Sequence, residues 1–455
     1  MPTQPTTASR DAFLNPLRCA VGRADITPPD PVPLAGVEGR TQCWRSVTTA
    51  LEANALLLTD VSGSVLMISA DLLYFGPDLV DAIHRIAAQF DIPSARVVLA
   101  ASHTHFAPAT DKTKPRLGAV DSAYLAFVEE RIGGLVASVV GAPKSVVTIE
   151  TARVATALSI NRRRRWRLPT LTREGFKFGP NIVMAPAPDE PRDEFIDVLK
   201  FVDERDQVVC ITWKFACHPV CFPGELSVSA EFPGHARKVL RQQIERDIPI
   251  LFLQGFTGDV RPMLLGTRSL KDRLQVLRRG PGFGEVSMAQ WTQWADQIAH
   301  ALCQAARERP SRAIGTAMTF ACGEVSMAKV LDPGSNPQAT ERALQLQRIA
   351  FGDDVGDPLE LLFVSAEVCS PYLKTFDAGP RTLCVGYTGH VFGYLPSQRQ
   401  AAEGGYEGRS FFALFGLFGQ LQAGFERAVV EAVLRLRTPK SRVDARTERV
   451  VDSTV

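Results

Sequence analysis

An apolar run that ends in two histidines most constrains how this chain can fold. Residues 95–101 read Ala-Arg-Val-Val-Leu-Ala-Ala, and Ser-His-Thr-His follows directly. A short apolar run with adjacent β-branched residues is typical of a buried strand. Side chains of an extended chain alternate, so His103 and His105 point the same way if the extended geometry continues past the end of that strand. Two such imidazoles can share a metal ion, or one can bind it while the other faces a substrate; a hydrogen-bonded pair without metal is the alternative.

Further runs of strand length alternate with helical patterns along the chain. The segments 53–60 and 64–71 read as a hairpin that ends at Asp71, and 78–90 has the apolar spacing of a helix. Strands are also predicted over 146–160, 195–201, 207–216, 248–253, 317–325, 360–366 and 382–387, and helices over 123–140, 232–247, 288–309, 340–349 and 411–436. Strands interleaved with helices, with polar residues collecting at strand ends, are the pattern of an α/β enzyme.

This pattern predicts the domain organisation. We expect one large catalytic domain over 17–437, of the α/β class, with mixed β-sheets flanked by helices. The termini are predicted to be a flexible leader at 1–16 and a disordered tail at 438–455. Residues 168–192 are predicted to form a mobile surface loop, and residues 266–285 a basic insertion interrupted by glycines.

Composition and charge exclude several classes of function. The 455 residues are 45% hydrophobic and 22% charged, which is typical of a globular protein. A formal net charge of +2 provides no field that would recruit nucleic acid. The polar N-terminus predicts no signal peptide, and no apolar run is long enough for a transmembrane segment. Nine cysteines, an odd number, favour a reducing compartment, so we expect a cytoplasmic protein with a small-molecule substrate.

Candidate ligands follow several other apolar runs. His218 comes after the strand at 207–216, Glu367 after the strand at 360–366, and Tyr394 lies in Gly-Tyr-Leu-Pro-Ser. Each residue type alone is more often structural than catalytic. Since an α/β sheet opens its site at strand ends, their shared placement predicts that they meet.

A basic segment at 161–167 reads Asn-Arg-Arg-Arg-Arg-Trp-Arg. Such clusters are most often solvated loops. Because a tryptophan lies inside this one, binding of an anionic substrate or a phosphate is the alternative.

Six segments carry a resemblance to a known family. They are Val21–Pro29, Ser102–Pro108, Ile160–Arg162, Phe215–Pro219, Gln254–Pro262 and Tyr394–Gly408. In that order they resemble the N-terminal catalytic domain of the neutral/alkaline non-lysosomal ceramidases and their bacterial relatives. The resemblance extends from about Arg18 to Val430 and implies the ceramidase N-terminal-domain fold.

The resemblance also implies a zinc amidase of lipid or sphingolipid metabolism. Carried onto this chain, the family's zinc ligands are His103, His218, Glu367 and Tyr394. His105 would face the substrate carbonyl, Tyr406 would stabilise the oxyanion, and Arg162 would bind a substrate hydroxyl. This assignment is chemically consistent, because imidazole and carboxylate suit zinc and a zinc-bound water ionises at a pKa of about 7.

The chain departs from the family pattern at three places. Arg261 stands where ceramidases carry the serine of Gly-Asp-x-Ser-Pro, and arginine cannot act as a nucleophile, so only the metal-hydroxide route applies. The segment around Glu367 reads Ser-Ala-Glu-Val-Cys instead of the usual Gly-Glu-Phe-Thr pattern. Gly389-His-Val stands where Asn-x-Tyr usually precedes the ligand tyrosine.

Together these features predict a zinc-dependent hydrolase of an amide (N-acyl) bond, with metal-bound water as the nucleophile. The substrate is either ceramide or a smaller soluble N-acyl compound. One alternative is a zinc enzyme that forms or cyclises an amide or ester in biosynthesis, with Arg261 and the basic segment holding an anionic substrate. Another is a non-catalytic binding protein of the same fold.

Overall fold

The computed structural model describes residues 16–167, 181–266, 282–308, 317–334, 341–352 and 358–438, together with residues 314 and 336 and the backbone of two short strands at 170–172 and 175–177. The strands in chain order are β1 (Arg18–Asp25), β2 (Ser46–Val47), β3 (Glu52–Asp60), β4 (Gly63–Ala70), β5 (Val97–Ala101), β6 (Ser145–Ala155), β7 (Ser159–Asn161), β8 (Arg163–Trp166), β9 (Thr170–Thr172), β10 (Gly175–Lys177), β11 (Asn181–Met184), β12 (Phe195–Asp203), β13 (Val208–Phe215), β14 (Ser227–Val228), β15 (Ile250–Gln254), β16 (Val260–Pro262), β17 (Met318–Ser326), β18 (Ala343–Phe351), β19 (Leu359–Val364), β20 (Glu367–Val368), β21 (Thr382–Val385) and β22 (Tyr394–Leu395).

The helices are α1 (Pro77–Ala88), α2 (Ser122–Gly141), α3 (Glu231–Ile244), α4 (Met288–Arg307), α5 (Tyr372–Thr375), α6 (Gln398–Glu403), α7 (Phe411–Leu414) and α8 (Phe425–Arg437). Short 3₁₀ turns lie at Ser94–Arg96, Pro115–Leu117 and Met327–Lys329, and a π-helical turn at Tyr406–Ser410. None of the helices in the described part of the chain is long and apolar enough to cross a lipid bilayer.

Two main sheets organise the molecule. The larger has eight strands in the order β15-β13-β12-β6-β1-β3-β4-β5, with parallel pairing only for β13 with β15 and β4 with β5. The smaller has the order β17-β18-β19-β21, with parallel pairing only for β19 with β21. These mixed sheets and the helices around them confirm the predicted fold class.

Apolar side chains join these elements in layers. On the large sheet, α1 and α2 cover β3 and β4, whereas α3 and α4 cover β13 and β15. A separate core lies between the two sheets, where Leu56 of β3 and Leu253 of β15 share a cluster with Phe363 of β19. On the small sheet, α8 buries Val429 and Val433 in a cluster with β17 and β18. The burial of apolar surface on both sides of each sheet stabilises this arrangement.

The segment after β21 connects the outer strands of the large sheet. Gly386 N donates to the Gln254 carbonyl at 2.9 Å, Ala101 N to the Tyr387 carbonyl at 3.0 Å, and Gly389 N to the Leu99 carbonyl at 2.8 Å. The ends of β5, β15 and β21 therefore meet at one place, and the candidate ligands follow these and neighbouring strands.

Three predicted elements are wrong or incomplete. The helix predicted over 340–349 is strand β18, because Leu344 and Leu346 alternate with less buried residues and the strand pairs with β17 and β19 on either side. Ladder hydrogen bonds and burial here override the helical propensity of leucine, glutamine and arginine. The strand predicted over 146–160 stops at Ala155, and residues 159–161 form β7, which pairs with β16 instead.

The helix predicted over 411–436 is interrupted. It consists of α7 and α8, joined by residues that include Gly416, Gly419 and Gly424 with φ of 67°, 73° and 79°. A right-handed helix cannot continue through such left-handed positions. The remaining predicted strands and helices are present with small shifts at their ends. The predicted leader, the predicted tail and most of the insertion at 266–285 lie outside the described residues, apart from Pro16, Thr438 and the ends of the insertion.

Candidate functional site

The two histidines of the Ser102–Pro108 segment converge, although not through strand geometry. β5 ends at Ala101, and His103 has a left-handed backbone with φ of 65°. The Nε2 atoms of His103 and His105 lie 3.2 Å apart. The extended geometry on which the predicted alignment depended does not continue to His103, but the two rings still lie close together. A non-glycine residue held at positive φ costs free energy and is typical of functional sites.

His218 completes a group of three imidazoles. It follows β13, and its Nε2 lies 3.0 Å from Nε2 of His103. One nitrogen from each of His103, His105 and His218 falls within 4.8 Å of the others. Three imidazoles gathered in this way can hold a metal ion such as zinc.

The tautomers of these rings follow from their backbone contacts. His103 Nδ1 lies 3.1 Å from the Leu73 carbonyl, and His218 Nδ1 lies 3.0 Å from the Thr257 carbonyl. His105 also forms a hydrogen bond with the backbone of Gly36. Because a carbonyl oxygen can only accept, each neutral ring carries its proton on the outer nitrogen and turns a bare Nε2 inward. Bare nitrogens this close repel one another, so the arrangement fits a cation between them.

Burial keeps the three rings neutral. It lowers the pKa of His103 to about 3, and lowers the pKa values of His105 and His218 well below the ordinary histidine value. The positive charge of Arg162 lowers the pKa of each ring further. Neutral imidazole is the form that binds metal, so no proton competes for Nε2 near neutral pH.

Glu367 lies beside this histidine group. Its Oε2 is 3.7 Å from Nε2 of His103 and 3.6 Å from Nε2 of His218. β20 pairs in parallel with β22, and this register places Glu367 opposite Tyr394. Burial raises the pKa of Glu367 to about 7. Hydrogen bonds from neighbouring tyrosines lower this pKa, because they favour the ionised carboxylate, but burial has the larger effect. The predicted ligands His103, His218 and Glu367 are thus brought together, with Tyr394 next to the carboxylate.

Arg162 orients Tyr394 from the other side. Its Nη2 donates to the Tyr394 hydroxyl at 3.1 Å and to the Gly258 carbonyl at 2.8 Å, and its Nε donates to Glu407 at 2.8 Å. The Tyr406 ring lies 5.3 Å from the Tyr394 ring, and the two hydroxyls are hydrogen-bonded. Burial raises the pKa of Tyr406 above its ordinary value, so its phenol stays protonated and able to donate.

A cleft of about 390 Å³ opens onto these residues. Its lining includes six residues of the predicted site: His105, Arg162, His218, Arg261, Tyr394 and Tyr406. His103 and Glu367 are each 1% exposed and lie behind this lining. The volume falls in the range of about 300–1,000 Å³ that is usual for small-molecule sites.

Two tyrosines that the sequence analysis did not select contact Glu367. The Tyr387 hydroxyl donates to Oε2 at 3.2 Å, and the Tyr74 hydroxyl donates to Oε1. Tyr387 also accepts a hydrogen bond from Thr257, whose carbonyl orients His218. Tyr74 follows β4 and Tyr387 follows β21, so the same rule of placement at strand ends would have identified both.

The buried carboxylate of Asp259 connects several segments of the chain around Arg162. Asp259 accepts hydrogen bonds from Asn161 Nδ2 at 3.1 Å, Gln400 Nε2 at 2.8 Å and Ser370 N at 2.7 Å. Its own carbonyl accepts from Arg162 N at 2.8 Å. Asp259 therefore holds the backbone that carries Arg162 in place.

The basic segment at 161–167 is not a free loop. Residues 163–166 form β8, which pairs with β11. Arg163 contacts Glu407 at 2.8 Å, and Arg165 contacts Glu403 at 2.5 Å. Because carboxylates already neutralise these two arginines, the segment offers less positive charge to an anion than its sequence indicates.

By its architecture this is a layered α/β protein with a group of histidines at the ends of its strands. No protein-family model matches this sequence, and no curated protein matches it. Among solved structures, the chain is similar to neutral ceramidase from Pseudomonas aeruginosa, with a TM-score of 0.66 and 15% identity over 94% of this chain and 75% of that one. A structure of a ceramidase complexed with C2 matches with the same TM-score and identity and with 76% of its own length covered. The chain has the neutral ceramidase fold, which confirms the predicted resemblance at the level of architecture.

Proposed function

We propose that this protein is a zinc-dependent hydrolase of an amide bond. The observation that carries the proposal is the convergence of the Nε2 atoms of three histidines beside a buried carboxylate. Two of these imidazoles, those of His103 and His218, together with the carboxylate of Glu367 have the chemistry that zinc prefers in its ligands. When bound, zinc supplies Lewis acidity and a water whose pKa is reduced to about 7.

We assign the ligands as the resemblance implies, to His103, His218, Glu367 and Tyr394. The 3.6 and 3.7 Å separations of Glu367 Oε2 from the two Nε2 atoms support this choice. Tyr74 and Tyr387 would orient the carboxylate, and the carbonyls of Leu73 and Thr257 would orient the rings. Such outer contacts fix the tautomer and the direction of metal ligands.

His105 and Tyr406 are assigned to the substrate. Both line the cleft, whereas His103 lies behind it. With its outer nitrogen bound to Gly36, neutral His105 has an acceptor at Nε2, which would position the attacking water by a hydrogen bond. The Tyr406 hydroxyl would donate to the developing oxyanion. The substrate is an N-acyl compound, either ceramide or a smaller amide of a size that the cleft accommodates.

Metal analysis combined with single substitutions tests these assignments. We expect about one zinc per chain in the purified protein. His103→Ala and His218→Ala should lose both the zinc and the hydrolysis of N-acyl substrates. His105→Ala should keep the zinc and lose hydrolysis, because it removes the group that positions the attacking water without removing a ligand.

His300→Ala is the matched control, because this histidine is exposed on α4 and should affect neither measurement. Protein that binds no stoichiometric transition metal would contradict the proposal. Product analysis run from the amide and from its separated acid and amine distinguishes hydrolysis from condensation.

A further inference from the structure

We infer that the substrate carries a carboxylate, and that Arg261 binds it in the cleft. The inference rests on the proposed amide hydrolase and narrows its substrate class. Arg261 lies on β16 and lines the same cleft as His105, Tyr394 and Tyr406. A group bound to its guanidinium would therefore belong to the molecule that reaches the histidines.

The guanidinium of Arg261 has donor capacity that its neighbours do not use. Nη2 donates to the Cys221 sulfur at 3.0 Å, and the guanidinium stacks 4.1 Å from the centre of the Phe283 ring. Nε is buried and has no hydrogen-bond partner among the described residues. A partly buried cation with an unused N–H gains free energy from an acceptor supplied by a ligand.

No counter-charge compensates Arg261 within the part of the chain that the structure describes. No carboxylate there lies within ion-pair distance of it, and a thiol is only a weak acceptor. Burial raises the pKa of Cys221 above its ordinary value, so the thiol stays neutral. Arg261 is partly exposed, and its Nη1 is neither buried nor hydrogen-bonded within the described residues, so Nη1 and the second N–H of Nη2 are available to an acceptor in the cleft.

The other charged side chains that line the cleft either have hydrogen-bond partners within the protein or are exposed to water. Arg162 is paired with Glu407 at 2.8 Å. Arg40 is buried and donates to the carbonyls of Leu34, Ala35 and Glu225. The Glu225 carboxylate is exposed at the rim, where water screens it. Arg261 therefore differs from Arg40 and Arg162 in that it lines the cleft with guanidinium nitrogens that no acceptor among the described residues occupies.

A planar guanidinium fork binds a carboxylate through two parallel hydrogen bonds, which a neutral hydroxyl or amide cannot reproduce. The carboxylate can belong to the amine half of the substrate, as in an N-acyl amino acid, or to the acyl half, as in the monoamide of a dicarboxylic acid. The shared feature is an anionic group separated by a short spacer from the amide.

Matched substrates test the inference. N-hexanoylglycine carries the carboxylate on the amine half, adipic acid mono-ethylamide carries it on the acyl half, and N-hexanoylglycinamide is the neutral counterpart. The wild-type protein should cleave one of the two acids with a kcat/KM about 10- to 100-fold above that of the neutral amide. In Arg261→Gln this ratio should collapse towards one, and Arg261→Lys should retain part of it, since lysine keeps the charge without the fork.

Arg164→Gln is the control, because Arg164 is exposed in the basic segment and does not line the cleft. It should leave the ratio unchanged. Thermal melting of each variant establishes that it is folded, and the wild-type preference tests the inference even if one variant is not.

Equilibrium binding separates this inference from the proposed function. If no amide is cleaved, the hydrolase proposal fails, and calorimetric titration of N-hexanoylglycine against N-hexanoylglycinamide still reports the carboxylate site. Equal kcat/KM for acids and neutral amide, or equal binding where no amide is cleaved, would overturn the carboxylate inference while leaving the metal site intact. An unchanged ratio in a folded Arg261→Gln would also overturn it.

Discussion

At the scale of single residues, the site depends on contacts that hold each imidazole by its outer nitrogen. Gly36 is one such contact, with φ of 93°. A Cβ added there would lie 2.5 Å from Nδ1 of His105, which is closer than real Cβ contacts allow. The ring of His105 cannot keep its present position beside any larger residue at 36.

Gly36→Ala should therefore displace His105 and leave the remaining histidines in place. We expect kcat/KM for an N-acyl substrate to fall about 100-fold, since a misplacement of about 1 Å in a catalytic group has that effect. Zinc content, measured by mass spectrometry, should stay near that of the wild type. Gly39→Ala is the matched control, because Gly39 has a φ of 80° and no atom within 4 Å of an added Cβ. Loss of zinc in Gly36→Ala alone would instead make His105 a ligand.

Residue chemistry was the part of the site that the sequence could predict. The placement of His103, His218, Glu367 and Tyr394 after apolar runs, together with the order of the family segments, was sufficient to select them. The sequence did not predict the hydrogen bonds that orient the imidazole rings, because Leu73 and Thr257 accept them through backbone carbonyls, which every residue type has. The unused donor of Arg261 likewise depends on which side chains pack around it.

At the scale of elements, the buried carboxylate of Glu407 connects the π-helical turn at Tyr406–Ser410 to β8 and to Arg162, the residue that precedes β8. Glu407 accepts from Arg162 and from Arg163, each at 2.8 Å. Burial alone would raise the pKa of Glu407, but the two guanidinium groups outweigh it and hold that pKa below the ordinary value. Since Arg162 also orients Tyr394, this pairing connects the turn to the candidate ligands.

Glu407→Gln should therefore destabilise the protein, because two buried cations lose their counter-charge. We expect the free energy of unfolding to fall by about 3 kcal/mol, the lower end of what breaking a buried ion pair costs. Urea denaturation followed by circular dichroism measures this change. Glu431→Gln, which removes an exposed partner of Arg427 on α8, should show no measurable change and serves as the control. Equal stability of the two variants would mean that water already solvates the Glu407 pair.

Some elements could be predicted from their own sequence, and others depend on the elements that pack against them. β3, β4 and α1 were predictable because their apolar periodicity is strong and their ends carry turn residues. β18 was not, since its leucines and glutamines favour a helix and only its neighbours β17 and β19 make it a strand. The break between α7 and α8 was signalled by its glycines, which the apolar pattern on either side outweighed in the prediction.

At the scale of the whole molecule, the candidate metal centre lies where separate parts of the chain meet. His103 follows β5 and His218 follows β13 in the large sheet, whereas Glu367 and Tyr394 belong to a ladder that follows strands of the small sheet. A metal ion bound to all four would link both sheets directly. Its binding free energy would then add to the stability of the entire fold rather than to one loop.

Chelation should therefore lower the melting temperature of the whole protein in a single transition. A ligand present at about a thousand times its dissociation constant adds about 4 kcal/mol to the free energy of unfolding, so removal of zinc should produce a shift that calorimetry detects easily. Restoring zinc should reverse the shift in the wild type and have no effect in His218→Ala, where a ligand is missing. Because the segment 386–389 joins β5 to β15 next to the centre, its amides should exchange faster with deuterium in the chelated protein. A chelated protein that loses its zinc but keeps the same melting temperature and exchange would show that the hydrogen bonds of residues 386–389, rather than the ion, hold the two sheets together.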